Sequence, residues 1–260
     1  MRPVFLSIVI PTYNEEAIIS ATLGQVAEFL RTRRYTWEVV VADDGSTDAT
    51  ARLVGNFAQG NPQVRLLKLR HHGKGWAVRE GMLEAKGQYR FLCDADLSMP
   101  IEQVERFLPP QAQGLDLAIG SREASGARRI GEPAYRHLMG RFYNALVRML
   151  AVPGIQDTQC GFKCFRGEIV PLLFRRQTME GFAFDVEVLF LARKEKLSIG
   201  EIGIDWHFRQ GSKVRPLRDA FAMTRDLLNI RWRNWRGRYE QVYMGDAVEK
   251  KTPGNDRNGG

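Results

Sequence analysis

Trp37-Glu38-Val39-Val40-Val41-Ala42-Asp43-Asp44-Gly45-Ser46 runs an apolar strand pattern directly into two acids and a turn, and Tyr89-Arg90-Phe91-Leu92-Cys93-Asp94-Ala95-Asp96 repeats the arrangement further along. Strands buried in a parallel sheet read as apolar runs, and open α/β sheets bind ligands beyond the carboxyl ends of their strands. Two carboxylate clusters delivered to one edge of such a sheet imply a divalent cation and a phosphorylated ligand. That combination points to a nucleotide-using enzyme.

The flanking sequence supplies the rest of the sheet. Residues 6–10 form an apolar run halted by Pro11, and Asn14-Glu15-Glu16 offers an N-cap and first-turn acids for a helix. On that helix Ile18, Ile19, Thr22, Leu23, Val26, Phe29 and Leu30 recur at helical spacing. Ser46-Thr47-Asp48 can cap a second helix through Phe57; residues 64–69 read as a strand, Gly73-Lys74-Gly75 as a loop, and residues 76–85 as a helix. After the strand that ends in Asp94-Ala95-Asp96, Pro100 favours the first turn of another helix, and residues 116–120 form a fifth strand. Strands alternating with helices at this spacing predict right-handed crossovers and a largely parallel, Rossmann-like sheet through about residue 120.

Beyond Ser121 the pattern changes. Residues 123–133 read as a long loop carrying Gly and Arg, and residues 136–150 as a helix with Leu138, Phe142, Leu146 and Met149 along one side. A helix over residues 182–193, a strand over 199–204 and a helix from Pro216 follow, with the basic loop Arg209-Gln210-Gly211-Ser212-Lys213 before the last. The polar sequence after Gly245 reads as a disordered tail.

Composition narrows the class. Of 260 residues, 44% are hydrophobic and 26% charged, the balance of a soluble globular protein rather than a disordered or multispanning one. The chain opens on Met1-Arg2-Pro3-Val4-Phe5-Leu6 and enters a strand pattern without a signal-peptide core, so the expectation is a cytoplasmic protein. A formal charge of +8 implies an anionic partner: phosphorylated substrate, membrane surface or nucleic acid. Three cysteines, Cys93, Cys160 and Cys164, argue against a disulfide framework, and Cys160 and Cys164 have no neighbouring His/Cys set suited to zinc.

Asp94 and Asp96 are two apart, so in an extended segment both side chains leave one face and can share a cation, Mg²⁺ or Mn²⁺ for hard oxygen ligands. A polar turn is the competing interpretation of a lone D-x-D, and Ser46 and Asp48 fit a turn and helix cap. Asp43 and Asp44 favour function, because clustering acids beside a second acidic cluster costs repulsion unless a cation or sugar hydroxyls offset it. A dinucleotide oxidoreductase is disfavoured: Pro11-Thr12-Tyr13-Asn14 stands where a G-x-G-x-x-G would follow the first strand. Lys74 likewise lacks the following Ser or Thr of a Walker loop.

Pro11-Thr12-Tyr13-Asn14-Glu15, Asp43-Asp44-Gly45-Ser46, Gly73-Lys74-Gly75, Asp94-Ala95-Asp96, Asp157-Thr158-Gln159-Cys160-Gly161-Phe162-Lys163 and Gly211-Ser212-Lys213 together resemble an inverting GT-A glycosyltransferase of family 2. Ala183-Phe184-Asp185-Val186-Glu187 and Trp206-His207 make the resemblance greatest to dolichyl-phosphate β-glucosyltransferases, with dolichyl-phosphate mannose synthases as near relatives. The resemblance implies a GT-A fold, a mostly parallel central sheet flanked by helices with a C-terminal amphipathic helix. It implies a single domain over residues 1–244, with a nucleotide-sugar half (1–120) and an acceptor half (121–244), before the tail at 245–260.

It also implies roles. Pro11, Tyr13 and Glu15 border the nucleotide, Asp43 recognises base or ribose, Lys74 lies near the nucleotide sugar, and Asp94-Ala95-Asp96 holds the metal and diphosphate. Arg122 and Arg136 match positions that grip the acceptor phosphate, and Arg209 and Lys213 match a loop that closes on donor and acceptor phosphates. Arg suits phosphate through its planar fork. Asp157 is a general base if the acceptor is a sugar hydroxyl; a phosphate acceptor is already ionised, and Asp157 then binds or orients the sugar.

The expected activity is transfer of a hexose, glucose from UDP-glucose first and mannose from GDP-mannose second, to dolichyl or polyprenyl phosphate at a membrane surface. The enzyme would be peripherally associated there, directly or through an anchoring partner. A family 2 transferase to a sugar hydroxyl is the rival. A nonenzymatic nucleotide or nucleic-acid module is the remote one, and no nucleic-acid partner is expected. The Arg231-Trp232-Arg233-Asn234-Trp235-Arg236 segment interleaves cations with indoles, the chemistry of membrane interfaces.

Overall fold

The computed structural model describes residues 3–133, 144, 147–148, 151–208 and 216–240. Its centre is a seven-stranded sheet. The strands are β1 (Leu6–Thr12), β2 (Trp37–Asp43), β3 (Val64–Lys68), β4 (Tyr89–Leu92), β5 (Leu117–Ser121), β7 (Lys163–Arg166) and β8 (Ile199–Gly203). They lie in the order β3-β2-β1-β4-β7-β5-β8. All neighbours are parallel except at β7, which is inserted antiparallel between β4 and β5. A separate parallel pair joins β6 (Arg128–Ile130) to β9 (Asp205–His207).

The side-chain period of two divides the core between the faces of the sheet. Leu6, Ile8 and Ile10 of β1, with Val39 and Val41 of β2, meet Leu23, Val26 and Leu30 of α1 (Ile19–Arg31) and Val54 of α2 (Thr50–Gln59). Val9 and Val40 point the other way, into a layer with Val78 and Met82 of α3 (Lys74–Glu84), Leu173 of α4 (Val170–Phe174) and Phe184 and Val188 of α5 (Phe184–Lys194). Leu227 and Ile230 of α6 (Pro216–Trp235) complete that layer. Among the described residues no helix is long and apolar enough to cross a membrane.

The expected parallel α/β sheet is present, with local departures. β1 runs through Pro11 to Thr12; β4 has left it at Val9–Leu92, so only β2 pairs with that end. Asn14 does not cap α1, which begins at Ile19; Asn14 takes a left-handed φ of 51° and its side-chain oxygen accepts from the Thr47 amide at 2.9 Å. The segment after Pro100 is a 3₁₀ helix, Ile101–Phe107. The 123–133 segment is not all loop, because β6 forms there once β9 supplies a partner. β7 has no counterpart in the sequence reading. Helix 136–150 lies outside the described residues apart from Asn144, Val147 and Arg148, which are helical. The tail at 245–260 also lies outside them. The three cysteines are free and buried.

Candidate active site

Thr12 is registered on Asp43, and the Cys93 amide donates to the Val9 carbonyl, so β1, β2 and β4 end at one edge of the sheet. There the acidic clusters divide their work. Asp43 is buried and accepts hydrogen bonds from the Ser46 amide at 3.1 Å, the Ser46 hydroxyl at 2.5 Å and Thr12 at 3.3 Å. Asp44, equally buried, accepts the amides of His72 and Gly73 at 2.9 Å each and faces His71 Nδ1 at 2.8 Å. That imidazole stacks on the Tyr13 ring, centroids 4.1 Å apart and planes within 17°. Asp44 therefore shapes the loop that carries Lys74, a role the sequence reading left unassigned. Pro11 is buried within β1, and the Glu15 amide donates to Thr50 Oγ1 at 2.8 Å.

Lys74 opens α3 between two glycines for a steric reason. A Cβ on Gly73 would lie 2.6 Å from the Glu180 carbonyl oxygen, and one on Gly75 would lie 2.5 Å from that of Met179. The 179–181 backbone thus presses on the turn, and Gln177 Nε2 donates to the Gly75 carbonyl at 2.8 Å. So positioned, Lys74 Nζ lies 2.7 Å from Asp94 Oδ1. Burial opposes the ammonium charge, but Asp94, Asp185 and Asp96 outweigh it and the Lys74 pKa is pushed up to about 12. Behind Asp94 the chain passes so close that a Cβ on Gly161 would collide with its carboxylate. Ala95 is buried and its carbonyl accepts from Thr22 Oγ1 at 2.6 Å. Asp96 is exposed, its oxygens accepting from the Ser98 amide and hydroxyl at 2.9 Å each.

A divalent cation fits this edge by donor chemistry. The Asp94 and Asp96 carboxylates are hard oxygen donors that would suit Mg²⁺ or Mn²⁺. Among the described residues no third His, Cys, Asp or Glu joins them.

On the far side of β7, Arg122 follows β5 and meets Asp157 in a bidentate pair, Nε to Oδ2 at 2.7 Å and Nη2 to Oδ1 at 2.8 Å. The Arg122 amide also donates to Asp157 Oδ2 at 3.0 Å, and Glu201 accepts the Gln156 and Asp157 amides at 2.9 and 3.0 Å. Asp157 is wholly buried. Burial alone would raise its pKa, but the Arg122 charge and hydrogen bonds hold it down at about 2. The same contact raises Arg122 above its ordinary value against the cost of burial. The guanidinium also lies 5.4 Å from the Trp206 ring centroid.

On β7, between β4 and β5, Lys163 is buried and donates to the Cys160 carbonyl at 2.6 Å and to Asp185 Oδ1 at 2.5 Å. Burial raises the Asp185 pKa, with Lys163 and Lys74 pulling against it. Neither member of this buried pair was assigned a site role from sequence; a lysine inside an otherwise apolar run was the available signal. Arg128 and Arg129 are each paired, Arg128 with Asp205 at 2.7 Å and Arg129 with Glu123 and Glu132 at 2.5 Å. Arg136, Arg209 and Lys213 lie outside the described residues.

The edge thus gathers Asp43, Lys74, Asp94 and Asp96, with Tyr13 stacked on His71 beside them, Arg122 just after β5 and Asp157 in the segment before β7. The family model described as Glycosyl transferase family 2 matches residues 7–170. Dolichyl-phosphate beta-glucosyltransferase of Homo sapiens is 36% identical over 254 residues, covering 91% of this chain and 78% of that protein. The Saccharomyces cerevisiae protein of the same name is 35% identical over 248 residues, covering 88% and 74%. Among solved structures, glucosyl-3-phosphoglycerate synthase from Mycobacterium tuberculosis in complex with Mn²⁺, UDP and glucosyl-3-phosphoglycerate superposes with a TM-score of 0.60 at 20% identity, covering 87% of this chain and 78% of that one. Mannosyl-3-phosphoglycerate synthase from Rubrobacter xylanophilus superposes with a TM-score of 0.64 at 17% identity, covering 90% and 75%. At those identities the structural likeness speaks to the fold, and the sequence matches to the family. The chain belongs to glycosyltransferase family 2.

Proposed function

We propose that this glycosyltransferase moves glucose from UDP-glucose to dolichyl or polyprenyl phosphate, with inversion at the anomeric carbon. Similarity to dolichyl-phosphate glucosyltransferases over most of both chains supports the donor and acceptor classes. The state of Asp157 carries the choice of acceptor chemistry: it is the candidate base, and it is buried and paired on both oxygens with Arg122. With a pKa near 2 it is a feeble proton acceptor, unsuited to activating a sugar hydroxyl. A phosphate monoester needs no base.

In this reading the acceptor phosphate oxygen attacks the anomeric carbon in line, the new C–O bond forms, and the bond to the UDP diphosphate breaks on the opposite face. Asp94 and Asp96 would hold Mg²⁺ or Mn²⁺, which supplies charge neutralisation to the leaving diphosphate. Lys74 brings a second positive charge to the same edge, and Tyr13 and Asp43 border the nucleotide. Asp157 orients Arg122, whose Nη1 makes no hydrogen bond among the described residues and is left to meet acceptor phosphate. Arg136, Arg209 and Lys213, the other cations the sequence assigns to phosphate, are proposed to join it there.

Incubation with polyprenyl phosphate and a panel of radiolabelled nucleotide sugars, with and without Mg²⁺ or Mn²⁺, tests the proposal. Organic-phase label is expected from UDP-glucose, and only with metal. Label from GDP-mannose alone would reassign the donor; label from none would overturn the activity.

A further inference from the structure

Helix α6 carries two apolar faces. Leu227 and Ile230 are fully buried and pack into the core beside Tyr239. Leu228, Trp232 and Trp235 follow at the i, i+4, i+7 spacing that places them on a single different face, and they are 57%, 43% and 80% exposed. An amphipathic helix that serves only its own core leaves polar residues outward; two exposed indoles and a leucine in line need another explanation.

The charge around that face is predominantly positive. At 100° per residue, Arg225 and Arg231 flank the Leu228–Trp232–Trp235 line; Asp226, the single acid between residues 225 and 238, projects from the opposite side of the helix but its carboxylate lies 3.5 Å from the Arg225 guanidinium, and Arg231, Arg236 and Arg238 leave the balance positive. Both arginines are exposed. Just beyond the helix, the Arg236 guanidinium sits 4.2 Å and that of Arg238 5.6 Å from the Trp232 ring centroid. Indoles with guanidinium groups over or beside them are suited to the headgroup boundary of a bilayer, where rings meet acyl chains and cations meet phosphates. A second copy of this chain would set arginine against arginine across the same face.

We propose that the Arg225–Leu228–Arg231–Trp232–Trp235 face of α6, extended by Arg236 and Arg238, docks the protein on an anionic lipid bilayer. This deepens the proposed function by naming the surface that meets the acceptor's membrane, and rests on that reading only for its purpose. The docking itself requires neither donor nor acceptor.

Flotation of the full chain with vesicles of phosphatidylcholine, and of phosphatidylcholine mixed with phosphatidylglycerol, tests it without any sugar or polyprenyl lipid. Binding is expected to the mixed vesicles, weakened by salt, with a blue shift of tryptophan emission. Trp235→Ser is expected to weaken it on the order of tenfold, and Arg231→Gln or Arg236→Gln roughly fivefold each. UDP affinity should stay unchanged in all three. Wild-type binding by Trp235→Ser, equal binding to both vesicle types, or no binding at all would overturn the proposal. So would a dimer in sedimentation that Trp235→Ser dissolves, or RNA binding that the same variant abolishes. Because Trp235 is so exposed, its replacement leaves the core intact, and a lost signal cannot be charged to misfolding. Vesicle binding without transfer to polyprenyl phosphate would reject the proposed function and leave the docking surface standing.

Discussion

Arg122 and Asp157, 35 residues apart in the chain, form a bidentate pair of 2.7 and 2.8 Å in which the carboxylate is completely buried. The pair joins the end of β5 to the segment before β7, so the order of that part of the sheet edge depends on one carboxylate remaining ionised.

That dependence has a pH signature. The folded-state pKa of Asp157, about 2, lies below the unfolded value of about 3.9, so its contribution is complete above the unfolded pKa and disappears as pH falls through the folded one. About 2 kcal/mol of stability should be lost between roughly pH 5 and pH 2. Asp157→Asn should lose roughly 3 kcal/mol at neutral pH, because Arg122 is left without its partner, and should flatten that acid limb. Urea unfolding across this pH range measures both effects.

Gly161 is expected to be intolerant of a single methyl group. Its Cβ would collide with the Asp94 carboxylate, turning it away from Asp96 and Lys74. Gly161→Ala should lower transfer on the order of a hundredfold. Mn²⁺ titration in the presence of UDP should show weaker binding than wild type.

Asp96 is exposed and, among the described residues, hydrogen-bonds only locally to Ser98, so Asp96→Asn should change stability by no more than about 1 kcal/mol. Transfer should be abolished, as it should be by chelator, and restored in wild type alone when Mn²⁺ is added back.

Glu187 is buried and accepts the Thr178 and Met179 amides at 2.8 Å each, the Thr178 hydroxyl at 2.6 Å and the Tyr239 hydroxyl at 2.7 Å. It therefore fixes the segment that presses on Gly73 and Gly75. Glu187→Ala should cost roughly 3 kcal/mol or more in denaturant unfolding, since it strands buried donors. Tyr239→Phe removes one bond and should cost about 1 kcal/mol.

The cysteines should be silent in the folded protein. Burial, reinforced by the Asp157 charge, pushes the Cys160 thiol up to about 12, and burial raises Cys93 and Cys164 as well. Iodoacetamide at mildly alkaline pH should leave all three unlabelled by mass spectrometry until the protein is unfolded.

What was legible depended on how far apart the cooperating residues lie. Asp43, Asp94 and Asp96 were readable because each ends an apolar run, and a run of that kind has few alternatives to a buried strand. Asp44 was not, because its partners His71, His72 and Gly73 come from beyond β3 and their amides leave no mark in the residue pattern. β7 escaped for a related reason. Its run contains Lys163, a charge that pattern reading places in solvent, yet the fold buries it against Asp185 and the Cys160 carbonyl. Asn14 looked like a helix cap by composition, but its left-handed backbone and its bond to Thr47 set it to bridging two loops instead.

By itself the sequence determined the parallel sheet, the edge where its acids gather and the family, because strand and helix periodicity and short motifs are local properties of a chain. The tertiary structure alone decided which charges are paired. Arg122 with Asp157, Lys74 with Asp94 and Lys163 with Asp185 are held by distances that only the packed sheet creates. Where burial is deepest, at Asp157 and at Lys163 with Asp185, those distances set charge state and orientation together, while Asp94 and Asp96 keep partial exposure through which a ligand can reach them.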